Sequence, residues 1–142
     1  MSSTQSFILD FKRVPRFFED WNVNFKVAKM KNPSTANFQL VYCSIAPDNI
    51  EDCLNGGVLN TSAVSVSASI DLNLKYDNEV ISVRNDCIWN VGAGTTTYIK
   101  AVFIRDKSNG YVMGYSILDN AVDVTNVVKL EKDTILWSIV DG

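Results

Sequence analysis

Apolar and polar residues alternate strictly along residues 64 to 75, and this alternation constrains the fold more than any other feature of the sequence. The apolar positions are Val64, Val66, Ala68, Ile70, Leu72 and Leu74, and the polar positions between them are Ser65, Ser67, Ser69, Asp71, Asn73 and Lys75. Successive side chains of a β-strand point to opposite faces of its sheet, so a period of two residues indicates a strand. The sequence therefore predicts a strand over residues 64 to 75 with one dry face and one wet face.

Short strands separated by turn residues fill the last third of the chain. Residues 98 to 105 and 111 to 118 are rich in apolar residues and flank the turn sequence Asp106-Lys107-Ser108-Asn109-Gly110, which predicts a β-hairpin. Two more turns are predicted at residues 119 to 120 and 131 to 133, followed by strands over residues 121 to 130 and 134 to 140 respectively. A meander of this kind buries one face of its sheet and leaves the other face as protein surface.

Earlier segments predict further strands and one short helix. Residues 21 to 28 alternate as a half-buried strand, and residues 38 to 46 are apolar on both faces, as in a strand at the centre of a sheet. A turn at residues 77 to 78 leads into strands over 80 to 83 and 87 to 91, before the small-residue loop 92 to 97. A helix is predicted within residues 47 to 57, with Asp48 as its N-cap and glycine at its end.

These elements define the expected fold class. The chain is predicted to be all-β, an antiparallel β-sandwich or Greek-key barrel of about seven to nine strands with at most one short helix. A chain of 142 residues is one domain of ordinary size. We expect an arm or edge segment over residues 1 to 20 and a single β-sandwich domain over residues 21 to 142.

The composition narrows the chemistry that is expected. The chain contains no histidine, and its three cysteines, Cys43, Cys53 and Cys87, show no CxxC spacing. They are expected to be reduced and buried or half-buried, with a Cys43–Cys53 bridge as the alternative. The adjacent carboxylate pairs Glu19/Asp20 and Glu51/Asp52 point to opposite faces of an extended chain and would not share a proton. We therefore expect no enzyme activity, no cofactor and no metal site.

The N-terminal segment differs from the rest in charge and in aromatic content. Residues 1 to 31 hold six basic and three acidic residues, a net charge of +3, and the remainder holds seven and thirteen, a net charge of −6. A basic aromatic arm on an acidic body favours association with a neighbouring copy, and packing on its own domain is the alternative. The candidate subunit-interface residues are Phe7, Phe11, Arg13, Arg16, Phe17 and Phe18.

Several other features have two interpretations each. The sequence Gly92-Ala93-Gly94 resembles half of a phosphate-binding loop but lacks the third glycine, and small residues also permit a tight connection between strands. The carboxylates Asp119, Asp123 and Asp133 could bind calcium, although keeping turns soluble is the commoner role. Aromatic rings could stack on a glycan or fill the core. These are Trp21, Trp89, Trp137, Tyr111 and Tyr115. The acidic body argues against nucleic-acid binding.

The first residues do not predict a signal peptide. The first residues have neither a basic start nor a long apolar core, because Asp10 interrupts the apolar run that precedes it. No stretch reaches the length of about 20 apolar residues that a membrane span requires. We expect synthesis in a reducing cytoplasm and no membrane partner.

Roughly residues 38 to 140, most strongly after residue 91, resemble small β-sandwich virion proteins of tailed bacteriophages. The likeness lies in the small-residue loop and strand of residues 91 to 104, the glycine-containing hairpin segment 110 to 115, and the two short closing segments 122 to 124 and 135 to 139. The chain departs from that pattern at residues 127 to 133, where a glycine is often expected. The resemblance implies a homo-oligomeric structural protein of the capsid surface, neck or tail that contacts copies of itself and other virion proteins. Its location would be the virion, after synthesis in the host cytoplasm. A carbohydrate-binding module on a fibre or baseplate is the alternative.

Overall fold

The computed structural model describes residues 10–14, 38–78, 80–90, 97–108, 110–124 and 127–138. Within these residues the chain forms twelve strands and one helix. The strands are β1 (Lys12–Arg13), β2 (Phe38–Ile45), β3 (Leu54–Asn55), β4 (Val58–Leu59), β5 (Ser65–Leu72), β6 (Leu74–Asp77), β7 (Val80–Val83), β8 (Cys87–Asn90), β9 (Thr97–Asp106), β10 (Val112–Val124), β11 (Val127–Leu130) and β12 (Ile135–Ser138), and the helix is α1 (Ile50–Cys53). The predicted strand at 21 to 28 and most of the loop at 92 to 97 lie outside the described residues.

The strands form antiparallel sheets. The largest sheet has five strands in the order β1-β10-β9-β2-β5, and a three-stranded sheet has the order β12-β7-β6. Two-stranded pairs are formed by β11 with β8 and by β3 with β4. The all-β antiparallel class predicted from the sequence is therefore confirmed. Nine of the described strands have four residues or more, and the three others have only two each.

Strand β2 lies inside the five-stranded sheet, between β9 and β5, as its two apolar faces predicted. Its side chains from Phe38 to Cys43 are buried except for Gln39, which is half-buried. The partner strand β9 is equally dry from Ile99 to Ile104 apart from Lys100. Both faces of the sheet centre are thus covered, which explains why neither strand shows a period of two in its sequence.

The hairpin of β9 and β10 has the predicted turn, but β10 is longer than predicted. The Asp106 main chain closes the turn through two hydrogen bonds, from Gly110 N (2.8 Å) to its oxygen and from its nitrogen to Tyr111 O (2.9 Å). The predicted turn at Asp119-Asn120 is wrong, because β10 continues to Val124. The register shifts between Ile117, which faces Ala101, and Val122, which faces Ile99. Residues 118 to 121 therefore stand opposite Lys100 alone, and the turn-forming residues are part of a large β-bulge within a single strand.

The alternating segment 64 to 75 is not one strand. The chain leaves the five-stranded sheet at Asn73, and β6 then pairs with β7 in the three-stranded sheet. The corner is fixed where Arg84 N donates to Asn73 O (2.8 Å) and Arg84 Nε donates to Leu74 O (3.2 Å). A period of two cannot reveal this corner, because the alternation of apolar residues continues across it into the second sheet.

The short helix is real but smaller than predicted. Helix α1 has four residues, and its N-cap is Asn49 instead of Asp48. The Asn49 side chain accepts a hydrogen bond from Asp52 N at 2.9 Å, which satisfies one of the free N–H groups of the first turn. The glycines expected at the helix end, Gly56 and Gly57, instead have positive φ angles of 64° and 88° in the turn between β3 and β4. Asn and Asp both suit an N-cap, so sequence cannot choose between neighbours.

The sheets pack into a sandwich around one apolar core. Its largest fully buried side chains come from both sheets, among them Tyr42, Phe38 and Phe103 of the five-stranded sheet and Ile81 and Val83 of the three-stranded sheet. The two sheets come close together where the Trp137 ring of β12 lies on Gly114 of β10. A Cβ atom at position 114 would stand 2.9 Å from Trp137 Cη2 and closer still to Cζ3. The glycine is therefore needed for space.

Replacing Gly114 by alanine should destabilise the protein by about 1–3 kcal/mol, because the new methyl group overlaps a buried ring held between two sheets. Thermal or urea unfolding measures the loss. The matched control is Gly114→Ala in a Trp137→Phe background, where the overlapping ring atoms are gone. The alanine should cost clearly less there. An equal cost in both backgrounds would contradict the proposed clash.

Candidate interaction surfaces

The N-terminal segment, where the interface candidates were predicted, joins the sheet of its own chain over residues 10 to 14. Strand β1 pairs with β10, with Lys12 opposite Tyr115 and Arg13 opposite Gly114. Asp10 N donates to Ser116 Oγ (3.1 Å) and Val14 N to Met113 O (2.9 Å). Phe11 is 8% exposed and Val14 is 4% exposed. The described part of the arm is therefore an edge strand of the domain.

The six interface candidates are thus placed only in part. Phe11 packs in the core of its own chain, and the main chain of Arg13 lies in β1. Phe7, Arg16, Phe17 and Phe18 lie outside the described residues. For Phe11 the alternative interpretation, packing on its own domain, describes what the structure shows. A contact between copies through the other candidates stays a prediction.

Lys100 donates hydrogen bonds to the bulged part of β10, a role that no sequence motif predicts. Its Nζ donates to Leu118 O (2.6 Å), Asp119 O (3.1 Å) and Asp48 Oδ1 (2.8 Å). An ammonium group has three protons, so these acceptors use all of them. The Lys100 side chain is 14% exposed. Its ammonium group supplies donors to main-chain oxygens where the bulge interrupts the pairing of β9 and β10. These contacts indicate a structural role for Lys100.

An open cleft of about 610 Å³ lies beside this bulge. The charged groups on its wall are Lys12 and four carboxylates, which belong to Asp10, Asp48, Glu51 and Asp119. Tyr115 and Ile117 add half-buried apolar surface. No three potential metal ligands among the described residues converge closely enough to hold an ion. The cleft is anionic, and the ammonium of Lys12 from the chain's own edge strand balances part of that charge.

Where their contacts are described, carboxylates near the predicted turns bind groups of the protein itself. Asp133 forms an ion pair with Lys75, and this hydrogen bond lowers the pKa of the Asp133 carboxyl. Asp86 accepts a hydrogen bond from Lys132 N (2.8 Å), which is the main cause of its own lowered pKa. Asp119 and Asp123 are exposed on β10. These contacts connect turns to neighbouring segments of the chain, which is a common role of exposed carboxylates in turns.

The aromatic residues considered for glycan stacking are largely packed against the protein. Trp137 is 7% exposed, and Trp89 stacks on buried Tyr42 with 4.2 Å between ring centroids and 19° between planes. Tyr111 and Tyr115 are half-buried, and Trp21 lies outside the described residues. Tyr98, which the sequence did not single out, is 53% exposed. The described tryptophans serve the core, and no observation favours the glycan alternative.

The three cysteines are free and buried, as predicted, and the Cys43–Cys53 bridge is not formed. Burial raises the pKa of Cys43 to about 12 and the pKa values of Cys53 and Cys87 to about 11. The Cys53 thiol donates to Asn49 O (3.3 Å), and the Cys87 thiol contacts Asp71 O (3.6 Å). All three groups are therefore protonated and inert near neutral pH, because only the thiolate is nucleophilic.

Strand β5 is the most exposed long strand described. In the described part of the chain it pairs with β2 on one side and ends the sheet on the other. Ser65, Val66, Ser67 and Ser69 are exposed, and Val66 retains 43% of its surface. Beside it, Ile45 at the end of β2 is 65% exposed. Residues 65 to 70 carry no charge, and Asp71 is paired with Lys107 at 2.9 Å. We call residues 65 to 70 the β5 edge.

Comparisons with known proteins place no limit on these interpretations. No protein-family model matches the chain, and neither a curated protein nor a solved structure shows significant similarity to it. Among the described residues, no helix has the length and apolar character of a membrane span. The resemblance to phage virion proteins therefore stays a prediction.

Lys100→Met should lower the free energy of unfolding by about 1–3 kcal/mol, because two main-chain oxygens in the bulge lose their donor. Urea unfolding at neutral pH measures the change. Lys129→Met is the matched control: Lys129 is exposed and its carboxylate partners lie 3.6 and 3.8 Å away, so its loss should stay within about 0.5 kcal/mol. Equal effects of the two substitutions would show that Lys100 does not hold the bulge.

A thiol reagent such as Ellman's reagent should leave the native protein unmodified near neutral pH and modify all three cysteines after denaturation in guanidinium. Burial prevents the reagent from reaching the thiols and keeps the thiols protonated. A Ser69→Cys variant is the positive control, because position 69 is exposed and should react in the native state. Fast native reaction of the unsubstituted chain, or fewer than three thiols after denaturation without reductant, would contradict this description.

Proposed function

We propose that the chain is a structural component of a tailed-bacteriophage virion, at the capsid surface, neck or tail, and acts through contacts between subunits. The observation that supports this function best is the β5 edge, a long, exposed and uncharged strand at the end of a sheet. Edge strands present unpaired N–H and C=O groups and readily accept another strand. Residues 65 to 70 carry neither charge nor proline, two of the features that protect exposed edges, and the register of β5 against β2 shifts between Ala68 and Val66.

The surface of the described residues supports contact as the mode of action. Four of the six described lysines have a partner carboxylate: Lys75, Lys100, Lys107 and Lys129. Several large apolar side chains, by contrast, remain exposed. They are Ile45, Val66, Ile88, Tyr98 and Ile135. Apolar surface of this kind is what subunit interfaces bury, and virion proteins assemble as many identical copies.

The N-terminal segment offers a second type of contact under this proposal. Phenylalanine and arginine are enriched at the centres of interfaces, and residues 15 to 20 contain both. Deleting residues 1 to 20 is not a clean test, however, because it would remove Phe11 and Val14 from the core and β1 from the sheet. An Arg16→Glu, Phe17→Ser, Phe18→Ser variant changes the candidate contacts while keeping β1.

The test is quantitative mass spectrometry of purified particles produced by the genome that encodes the chain. We expect the protein in every preparation, at a constant ratio to the major capsid protein and in a multiple that fits a lattice or a ring. Protein that is abundant in the infected lysate but lost from purified particles would refute the proposal. The same measurement on particles carrying the Arg16, Phe17 and Phe18 substitutions tests the arm, which should lower incorporation.

A further inference from the structure

We propose that the bulged part of β10 and the Asp48 carboxylate form a binding site for primary alkylammonium ions, which the chain fills with its own Lys100. This site is separate from the β5 edge and from the proposed function, because it depends only on the groups around the Lys100 ammonium. A small amine from solution should therefore bind there once the lysine side chain is removed.

Three oxygens from two separate segments of the chain converge on the Lys100 ammonium. Lys100 Nζ lies 2.6 Å from Leu118 O, 3.1 Å from Asp119 O and 2.8 Å from Asp48 Oδ1. Hydrogen bonds from a charged nitrogen to an oxygen are typically about 2.7–2.9 Å long. A primary ammonium group has three protons, so its donors match these acceptors in number.

The same oxygens suit a metal ion poorly. Calcium takes about six to eight oxygen ligands, and magnesium requires a nearly ideal octahedron at about 2.0–2.1 Å. The oxygens around Lys100 are at hydrogen-bond distance instead, and the described residues include no group of three side chains that could hold a metal ion. The site therefore favours a cation that donates hydrogen bonds.

The two main-chain oxygens are held in place by strand pairing on both sides of the bulge. The pairing of β10 with β9 is regular up to Ile117 and resumes at Val122. Removing the Lys100 side chain leaves this pairing possible, since main-chain groups form its hydrogen bonds. The oxygens should therefore stay close together without the lysine, which reduces the cost of binding a separate ligand.

A small solute can reach these oxygens from water. The open cleft beside the bulge is lined by Asp48, Leu118 and Asp119, the same residues that accept hydrogen bonds from Lys100. The Lys100 side chain itself is 14% exposed. Lys100→Ala removes the outer part of this side chain with its ammonium group, and ethylammonium is short enough to occupy the space that is left.

The test is urea unfolding of the full Lys100→Ala chain in ethylammonium chloride. A ligand that binds only the folded chain stabilises it by mass action, so the folding equilibrium constant should rise about elevenfold at a concentration of ten times Kd. Kd should be millimolar or weaker, because so small a ligand makes few contacts. Tetramethylammonium chloride at equal concentration is the matched control, since this cation has no N–H group and should give no such rise.

Further variants separate this site from general effects of the salt. Lys129→Ala loses an ammonium group whose carboxylate partners lie 3.6 and 3.8 Å away, and ethylammonium should stabilise it no more than tetramethylammonium does. Adding Asp48→Asn to Lys100→Ala should raise the Kd of ethylammonium roughly two- to fivefold, because an exposed ion pair contributes modestly. Adding Glu51→Gln, at another carboxylate of the cleft, should change Kd less.

A gain in stability of Lys100→Ala that is no larger in ethylammonium than in tetramethylammonium would overturn the proposal. An equal gain by Lys129→Ala, or the same gain of Lys100→Ala in potassium chloride, would do so too. If Lys100→Ala is unfolded in buffer, its β-sheet circular dichroism spectrum should return in ethylammonium and not in tetramethylammonium, and failure to return would refute the site.

Amine labelling gives an independent measurement on the unsubstituted chain. N-hydroxysulfosuccinimide acetate should acetylate Lys100 roughly tenfold more slowly than Lys129, because all three protons of the Lys100 ammonium are engaged and the group must first be released. Mass spectrometry of peptides measures both rates. Equal rates would show that the three oxygens do not hold an ammonium group.

Discussion

The pairing of β2 with β9 is the interaction on which the rest of the fold depends. These strands are distant in sequence, yet their residues from Phe38 to Cys43 and from Ala101 to Asp106 lie opposite each other in an unbroken register. Both faces of this pair are buried, so the position of each other layer depends on the surface of the β2–β9 pair that it covers. The three-stranded sheet brings Trp137 down onto Gly114 beside this pair. A pair of long-range strands at the core also means that loop closure precedes most of the stabilising burial.

In addition to the apolar core, the fold uses one partly buried polar group, the ammonium of Lys100. The bulge in β10 leaves main-chain oxygens without strand partners, and the ammonium of Lys100 supplies donors to two of them while its third proton reaches Asp48. The contact with Leu118 O is partly buried, so leaving that oxygen without a donor would cost stability. This lysine connects β9, β10 and the segment before α1, so it has a structural reason to be there. The bulge also contributes Asp119 to the anionic cleft beside it, whose other carboxylates come from Asp10, Asp48 and Glu51.

Local patterns of the sequence predicted the elements better than their connections. The hairpin turn at residues 106 to 110, the turn at residues 131 to 133 and the interior position of β2 follow from turn chemistry and from apolar faces, both of which are local. The bulge at Asp119-Asn120 was interpreted as a turn because the same residues suit both, and the choice depends on whether β9 continues opposite them. The sheet change at Asn73 leaves no trace in the alternation. Lys100 could not be found from sequence, since its partners lie in three different segments.

The strand with the clearest alternation in sequence is also the long strand with the least burial in the structure, and this contrast has a physical meaning. Strands β2 and β9 lack alternation because their own chain covers both faces. Strand β5 alternates in sequence, but its own chain covers it only towards Leu72, and its pairing with β2 shifts register between Ala68 and Val66. The shift sets Val66 opposite Cys43, so Val66 does not continue the face of Ala68 and Ile70. Alternation in sequence therefore predicts a strand without predicting how much of its apolar side the fold buries. A monomer gains little from apolar side chains that stay in water, and the lack of charge at residues 65 to 70 leaves this edge accessible to contact.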